Sequence, residues 1–407
     1  MAEKLRPIRP EFFTPMMHAF KSGPLQGSPM LGTPFVLNRH RLPNRVVHAP
    51  MSVCYADENG MPGQAMIEHY ARRARGGAAL VIVENVAVSE RGRQLPKQPL
   101  MTPAKAYREP YRTLARAIHE EGALGVLQIA HAGRYAGPWE NYDADVRHAP
   151  SAASFELLGR RVTPTAMTLA DIEQAMQDFE ATARLALEAG FDGVELHGAA
   201  GLLIAQFMSP RMNHRTDIYG GNLENRCRFA LELARRVRAA IGGDALLGFH
   251  LFADELHPEG SAVEDACWLA QRLEEAGCDF LMPSLGSFET LRLPENAGLN
   301  TRPAYQMEAC RRIKQAVSIP VIANGGLGDP QQAEQALLDG SADLIGLARP
   351  LFKDPDWARK VLSQPPVQPD PCTCRSMRCL SSQKTGGVCE QWPAAVQVQG
   401  YLGRETV

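Results

Sequence analysis

The chain has 407 residues and a mass of 44.5 kDa, and its 43 Lys and Arg residues against 45 Asp and Glu residues give a formal net charge of −2. This balance excludes the strongly basic surface that binds nucleic acid or an anionic membrane. No apolar run reaches the roughly 18 residues that a membrane helix needs, and the charged, proline-broken stretch from Met1 to Pro10 lacks a signal-peptide core, so we expect a cytoplasmic protein that acts on a small molecule.

Short β-branched runs alternate with longer amphipathic segments from about residue 33 to residue 363. Eight of the runs are predicted strands: Val46–Pro50, Leu80–Glu84, Gly125–Ile129, Gly193–His197, Leu246–Leu251, Phe280–Pro283, Val321–Ala323 and Leu344–Gly346. Between the third and fourth, Leu169–Gly190 has apolar residues at helical spacing and a glycine stop. Eight strands with seven crossovers predict an α/β fold, a (β/α)8 TIM barrel, over residues 1–363.

The composition changes after Lys360. The stretch Gln364–Pro371 is a proline-rich connector, because proline cannot continue a helix or a central strand. It leads into a segment that contains Cys372, Cys374, Cys379 and Cys389. Since disulfides are rare in a reducing compartment, the cluster predicts a metal site. Residues 364–407 are therefore predicted to be a short cysteine-containing extension of the barrel.

The last two predicted strands are followed by loops suited to an anion. Ligands of a TIM barrel bind at the carboxyl ends of the strands, and the seventh and eighth loops commonly hold phosphate. These loops read Asn324-Gly325-Gly326 and Gly346-Leu347-Ala348-Arg349. Glycine lets backbone N–H groups approach an anion closely, and arginine adds a charge-assisted hydrogen bond. The pair of loops predicts a ligand that carries a phosphate.

Polar side chains end five of the other predicted strands: Ser52, Asn85, Gln128, His197 and His250. Their convergence at one mouth would suit a planar heterocycle with several donors and acceptors. Any one of them alone is more often a buried polar group that simply has its hydrogen-bond partner.

Three stretches resemble the old yellow enzyme family of FMN-dependent oxidoreductases. They are Asn44–Met51, Gln128–Arg134 (Gln-Ile-Ala-His-Ala-Gly-Arg), and Gly190–His197 (Gly-Phe-Asp-Gly-Val-Glu-Leu-His) continuing through Ser209–Arg226. They follow the family's order and cover nearly the whole barrel. The cysteines resemble the branch with 2,4-dienoyl-CoA reductase and trimethylamine dehydrogenase, in which a four-cysteine [4Fe–4S] motif follows the barrel.

The resemblance implies a bound FMN and reduction of an activated C=C bond with electrons from NADH or NADPH. It implies that Ser52, Asn85, Gln128 and His250 border the flavin ring, that Pro50 and Met51 contact it, and that Asn324, Gly325, Gly326, Ala348 and Arg349 hold the phosphate. His197 would anchor the substrate over the ring. The protein would contribute orientation and electrostatic tuning, because the flavin carries the hydride chemistry.

His250 departs from the family pattern, since an arginine usually stands there beside the N1/O2 edge of the flavin. An imidazole is a cation only when it is protonated. Two interpretations follow: a flavin potential that depends on pH, or a neutral His250 that only hydrogen-bonds the ring.

A second departure follows the fourth strand, in His197-Gly198-Ala199-Ala200-Gly201-Leu202. Ene-reductases of the family have a His or Asn at the position of Ala200 and a proton-donating Tyr at that of Leu202. Tyr55, Tyr135 and His257 are then the candidate proton donors. Alternatively, the enzyme oxidises an amine or N-methyl group and passes electrons to an external carrier. A third interpretation is a flavin-binding barrel without redox turnover, acting as an isomerase or an interaction protein.

The cysteine spacing is a third departure, with one, four and nine residues between successive cysteines. The family motif is wider between its first two and its last two cysteines. Four thiolates can hold either an iron–sulfur cluster or zinc, and unmetallated thiols are the remaining alternative. The further domains of long relatives do not follow before Val407, so a cluster is expected to be structural or to use an external electron carrier. Association into a homo-oligomer, common among such barrels, is left open.

Overall fold

The computed structural model describes residues 29–103, 107–137, 147–157, 159–373, 378–383, 386–394 and 397. Eight parallel strands form its central sheet: β1 (Val46–His48), β2 (Leu80–Ala87), β3 (Leu124–Ala130), β4 (Gly193–Gly198), β5 (Leu246–Asp254), β6 (Phe280–Leu285), β7 (Ile322–Ala323) and β8 (Leu344–Leu347). Each contains or overlaps its predicted run. β1 ends two residues early, just before Pro50, which has no N–H to donate to a neighbouring strand.

The sheet closes on itself. Neighbouring strands follow the order β6-β5-β4-β3-β2-β1-β8-β7. A parallel bridge between Leu281 and Val321 joins the two ends, and the Leu281 N–H donates to the Pro320 carbonyl at 3.0 Å. The predicted TIM barrel is therefore confirmed.

Helices surround the barrel and follow its strands. In the described residues they are α1 (Gln64–Arg75), α2 (Arg108–Glu120), α3 (Leu169–Glu188), α4 (Leu203–Met208), α5 (Leu223–Ile241), α6 (Val263–Glu275), α7 (Met307–Ala316), α8 (Pro330–Leu338), α9 (Arg349–Lys353), α10 (Trp357–Val361) and α11 (Arg378–Ser381). The predicted helix at α3 begins after Thr168, whose side chain and Asp171 cap each other's backbone N–H groups. No helix among these is long and apolar enough to cross a bilayer.

The alternation of side chains along each strand places the polar residues at the mouth. An apolar cluster fills the barrel interior and includes Val126, Leu246 and Ile322. Residues two or four positions further along a strand face the same side. Gln128, His250 and Asn324 therefore follow these three toward the carboxyl ends of β3, β5 and β7.

Two hairpins cover the ends of the barrel. Phe35–Leu37 pairs with His40–Leu42, and Leu37 and Leu42 join the interior cluster. Phe155–Leu157 pairs with Arg160–Val162 in the connection after β3, where they pack near the carboxyl end. A short parallel pair, His148–Ala149 with Thr165–Ala166, forms the base of that connection. The connection between β3 and α3 therefore forms one wall of the barrel mouth.

Candidate active site

His197 and His250 lie side by side at the carboxyl ends of β4 and β5. They are register partners, and their rings stack with centroids 5.1 Å apart and planes 12° from parallel. Burial lowers the pKa of His250 to about 4, and burial together with His250 lowers the pKa of His197 well below its usual value. His197 Nδ1 accepts from the Ala199 N–H at 3.4 Å. Both imidazoles are therefore neutral near pH 7, and His197 keeps Nε2–H to donate.

Gln128 joins this pair to a buried carboxyl group. Its Nε2 donates to Glu195 Oε2 at 2.6 Å and lies 3.0 Å from His250 Nδ1. Burial raises the pKa of Glu195 to about 8, although the bond from Gln128 opposes that shift. Glu195 was not among the residues predicted from the sequence. Two-residue alternation could have found it, because it shares a strand face with His197.

The loop after β1 is fixed against β2. Ser52 Oγ donates to Asn85 Oδ1 at 2.7 Å, so the structure brings these two predicted residues together. Glu84 accepts from the N–H groups of Val53 and Cys54 at 2.8 and 2.9 Å. Burial raises the pKa of Glu84 to about 8. Before them, Met51 is buried and Pro50 half-buried.

The loops after β7 and β8 form a narrow cradle. Gly325 and Gly326 have φ of 85° and 82°, and a Cβ on Gly326 would lie 2.4 Å from the Arg302 carbonyl oxygen. Arg349, which follows Ala348 as the first residue of α9, donates through Nη2 to the Asn300 carbonyl oxygen. Only glycine fits here, because the backbone combines positive φ with close approach.

These residues fit FMN. His250 Nε2 is buried without a hydrogen-bond partner in the described structure, as the edge of a heterocycle would require. At the other end, the glycine cradle and Arg349 supply backbone donors and a cation for a phosphate. Ser52, Asn85, Gln128 and His250 would border the ring. Asn324, whose Nδ2 donates to the Pro283 carbonyl oxygen at 2.8 Å, would hold the phosphate together with the glycines.

A second polar cluster lies beside the loop after β4. The Tyr135 hydroxyl donates to Glu289 Oε1, which also pairs with Arg134, while Arg211 Nη1 lies 3.0 Å from Glu289 Oε2. Burial alone would raise the pKa of Glu289, but Arg134 and its other partners hold that pKa below its usual value. Burial is the main cause that raises the pKa of Tyr135. Glu289, between β6 and α7, was missed because no local pattern marks it.

The three candidate proton donors occupy different places. Tyr135 packs in one apolar cluster with Leu202, and a Cβ on Gly201 would lie 3.4 Å from its hydroxyl. Tyr55 instead donates to the Gly387 carbonyl oxygen. His257 Nδ1 accepts from the Glu259 N–H at 3.2 Å. Tyr135 is therefore the candidate next to the position where the family carries its tyrosine.

The cysteine segment packs against the β1 loop. Cys379 and Cys389 are buried in a cluster with Met51, Val53, Phe352 and Trp392. Gln383 Nε2 donates to the Ser52 carbonyl oxygen at 2.6 Å. Cys372 is described but Cys374 is not, and the described residues contain no group of three or more His, Cys, Asp or Glu that could hold a metal ion. The four-cysteine metal site stays a prediction.

Residues 30–368 match the model of the NADH:flavin oxidoreductase / NADH oxidase family. A "NADH oxidase" of Thermoanaerobacter brockii is 37% identical over 366 residues, which is 89% of this chain and 55% of that protein. A "NADPH dehydrogenase" of Geobacillus sp. (strain WCH70) is 38% identical over 81% of this chain and 92% of its own length. The solved old yellow enzyme homologue of Zymomonas mobilis is 28% identical, with a TM-score of 0.70, over 84% of this chain and 95% of its own. The chain thus spans about half of the NADH oxidase and most of the two shorter relatives.

Proposed function

We propose that this chain, which belongs to the NADH:flavin oxidoreductase / NADH oxidase family, is an FMN-dependent oxidoreductase that reduces an activated C=C bond with electrons from NADH or NADPH. FMN, when bound, supplies the hydride chemistry. The chain's own contribution is to bind the substrate, to polarise it and to deliver a proton.

The observation that carries the proposal is the neutral, buried His197 at the carboxyl end of β4. Its Nδ1 accepts from Ala199, which leaves Nε2–H free to donate to a substrate carbonyl oxygen. Polarising that carbonyl makes the β-carbon electrophilic. A donor placed where negative charge develops is worth about 3 kcal/mol in a site from which water is excluded.

We assign the proton to Tyr135. Leu202 has no proton to give, whereas the Tyr135 hydroxyl lies beside Gly201 and is oriented by Glu289. Burial of the phenol keeps it protonated at working pH. To protonate the α-carbon after the β-carbon has received hydride, Tyr135 would turn its single hydroxyl hydrogen from Glu289 to the substrate, and Arg134 beside it would stabilise the phenolate that remains. The charges of Arg134 and Arg211 hold Glu289 ionised, so that it accepts the hydroxyl hydrogen of Tyr135 before substrate binds.

Steady-state turnover tests the proposal. We expect the FMN-loaded enzyme to reduce 2-cyclohexenone with NADPH or NADH, and His197→Ala to lower kcat/KM for the enone by about a hundredfold. Retained reduction of FMN by the nicotinamide would show that the variant remains folded. Enone turnover that never exceeds that of free FMN would exclude C=C reduction.

Amine or N-methyl oxidation is the second candidate, and the buried Leu202 favours it. Leu202 is 1% exposed and packs among apolar side chains in place of a hydroxyl. Removing hydride from a C–N bond needs no proton donor at that position. Oxidation of sarcosine-type amines with an artificial electron acceptor, in the absence of enone turnover, would select this activity.

The extension after the barrel is proposed to carry a metal or an iron–sulfur cluster on Cys372, Cys374, Cys379 and Cys389. Burial of Cys379 and Cys389 against Met51 and Val53 supports this proposal, because it places sulfur beside the cofactor loop. A cluster there would exchange electrons with an external carrier. Zinc, or no metal, would leave the extension with a structural role.

A further inference from the structure

The barrel interior holds a buried carboxyl group, Glu195, for which the proposed reaction has no use. Glu195 is completely buried, and its Oε1 has no hydrogen-bond partner in the described structure. Its other oxygen binds Gln128, which in turn approaches His250. The three side chains form a connected series that ends at His250, the position where the family usually has an arginine.

The hydrogen bonds of Gln128 restrict the state of His250. An amide nitrogen carries two hydrogens and accepts none. When one hydrogen goes to Glu195, the other points to His250 Nδ1, which must then offer a lone pair. The hydrogen of the neutral imidazole therefore lies on Nε2, which is buried without a partner.

The flipped orientation of the Gln128 amide requires different protonation states of its two neighbours. If the amide turned by 180°, its oxygen would face both Glu195 Oε2 and His250 Nδ1. Both would have to donate, so Glu195 would need a proton and Nδ1 would need the imidazole hydrogen. An ionised Glu195 thus permits only the first arrangement, whereas a protonated Glu195 permits both.

We propose that Glu195 is a positioning residue that acts through the Gln128 amide to select the tautomer of His250, and so decides whether Nε2 donates or accepts a hydrogen bond. The inference rests on the proposed function only in taking FMN as the group that Nε2 meets. In place of the arginine that is usual in the family, this chain has the imidazole of His250. Glu195 determines, through Gln128, which nitrogen of that ring carries the hydrogen.

Few other charges face His250. β4 supplies Glu195 and His197, and the latter is neutral because of its burial. On the opposite side, the register partner from β6 is Met282, which carries no charge. Burial raises the pKa of Glu195 to about 8 and lowers that of His250 to about 4, so Glu195 and not His250 titrates in the neutral to mildly alkaline range.

The test is a pH titration of the histidine ring nitrogens by 15N NMR, on protein labelled at histidine, both as purified and after addition of FMN. His250→Asn assigns the signals. In the wild type we expect the shifts of Nδ1 and Nε2 of His250 to move with a midpoint near pH 8 toward a single Nε2–H tautomer. In Glu195→Gln, which has the same shape but does not titrate, we expect no midpoint between pH 6 and 9.5.

Gln128→Leu provides a second variant, which keeps Glu195 but breaks the connection, and it should also lose the midpoint. Glu84→Gln is the matched control, since Glu84 is the other buried carboxyl group with a pKa raised to about 8 but binds the β1 loop instead. It should leave the midpoint in place. Shifts that stay flat in the wild type, or a midpoint that survives in Glu195→Gln, would overturn the inference. The expected titration in a protein that binds no FMN would contradict the proposed function alone.

Discussion

Single residues at the end of β4 distinguish this chain from other members of its family. Ala200 adopts φ of 55°, a left-handed conformation that asparagine and glycine reach more easily than alanine does. The left-handed turn at Ala200 is therefore formed without a polar side chain of its own. With Leu202 buried two residues later, the proposed substrate contacts at this loop come from His197 and from Tyr135, which lies in the turn after β3.

Removing one hydroxyl group tests the role of Tyr135. In Tyr135→Phe we expect NAD(P)H to reduce the bound FMN at the wild-type rate, while reoxidation by an enone slows about a hundredfold, because only the second step needs the proton. Stopped-flow absorbance separates the two steps.

Tyr55→Phe is the matched control, since its hydroxyl bonds the Gly387 carbonyl oxygen. It should leave both rates within about threefold of the wild type. Equal losses in the two variants, or an unchanged reoxidation rate in Tyr135→Phe, would remove Tyr135 from the mechanism.

At the level of elements, the loops after β7 and β8 form the proposed phosphate site. Gly326→Ala places a Cβ 2.4 Å from the Arg302 carbonyl oxygen and 2.6 Å from the Ala304 nitrogen. Because neither backbone atom can move without distorting the loop, we expect the dissociation constant for FMN to rise by more than tenfold. Quenching of flavin fluorescence on titration with apoprotein measures it.

Gly340→Ala is the matched control, because Gly340 also has a positive φ but its added Cβ would contact no other atom. Gly340 has φ of 71°, and nothing lies within 4 Å of the position of its Cβ. We expect a loss of about 1 kcal/mol in the free energy of unfolding and an unchanged affinity for FMN. Equal affinities in the two variants would show that the cradle does not hold the cofactor.

The strands, and the polar side chains at their carboxyl ends, could be predicted because their signals are local. Each strand is a short apolar run, and His197 and His250 stand at the ends of such runs on neighbouring strands. Glu289 could not be found in this way, because it meets Tyr135 across 154 residues of sequence and lies in an irregular loop. The environment of Tyr55 depends on the C-terminal segment, whose docking no local pattern encodes.

At the scale of the whole molecule, the extension is bound to the cofactor face of the barrel. Trp392 packs on Phe352 of α9, with ring centroids 4.7 Å apart, and its Nε1 donates to the Lys353 carbonyl oxygen. The Gly387 N–H donates to the Val53 carbonyl oxygen at 2.7 Å. The extension therefore supports both α9, which begins at Arg349, and the loop that contains Ser52.

Removing the Trp392 ring should weaken the support of both α9 and the loop that contains Ser52. In Trp392→Ala we expect the free energy of unfolding to fall by about 3 kcal/mol, as for other buried aromatic side chains, and FMN to bind more weakly. Trp268→Ala, on the outer helix α6 where the ring stacks with Arg272, should lower stability alone. Chemical denaturation measures the free energy of unfolding of both variants, and flavin titration measures their affinity for FMN. Wild-type FMN affinity in Trp392→Ala would mean that the extension does not support the site.

The central claim is that this barrel holds a redox-active flavin, and the visible absorption spectrum of anaerobically purified protein tests it most directly. We expect a flavin spectrum that dithionite and NAD(P)H both bleach. Iron and zinc counted on the same sample would identify what the four cysteines hold, with a broad brown shoulder if it is an iron–sulfur cluster. A colourless, folded protein that cannot be reconstituted with FMN would contradict the account.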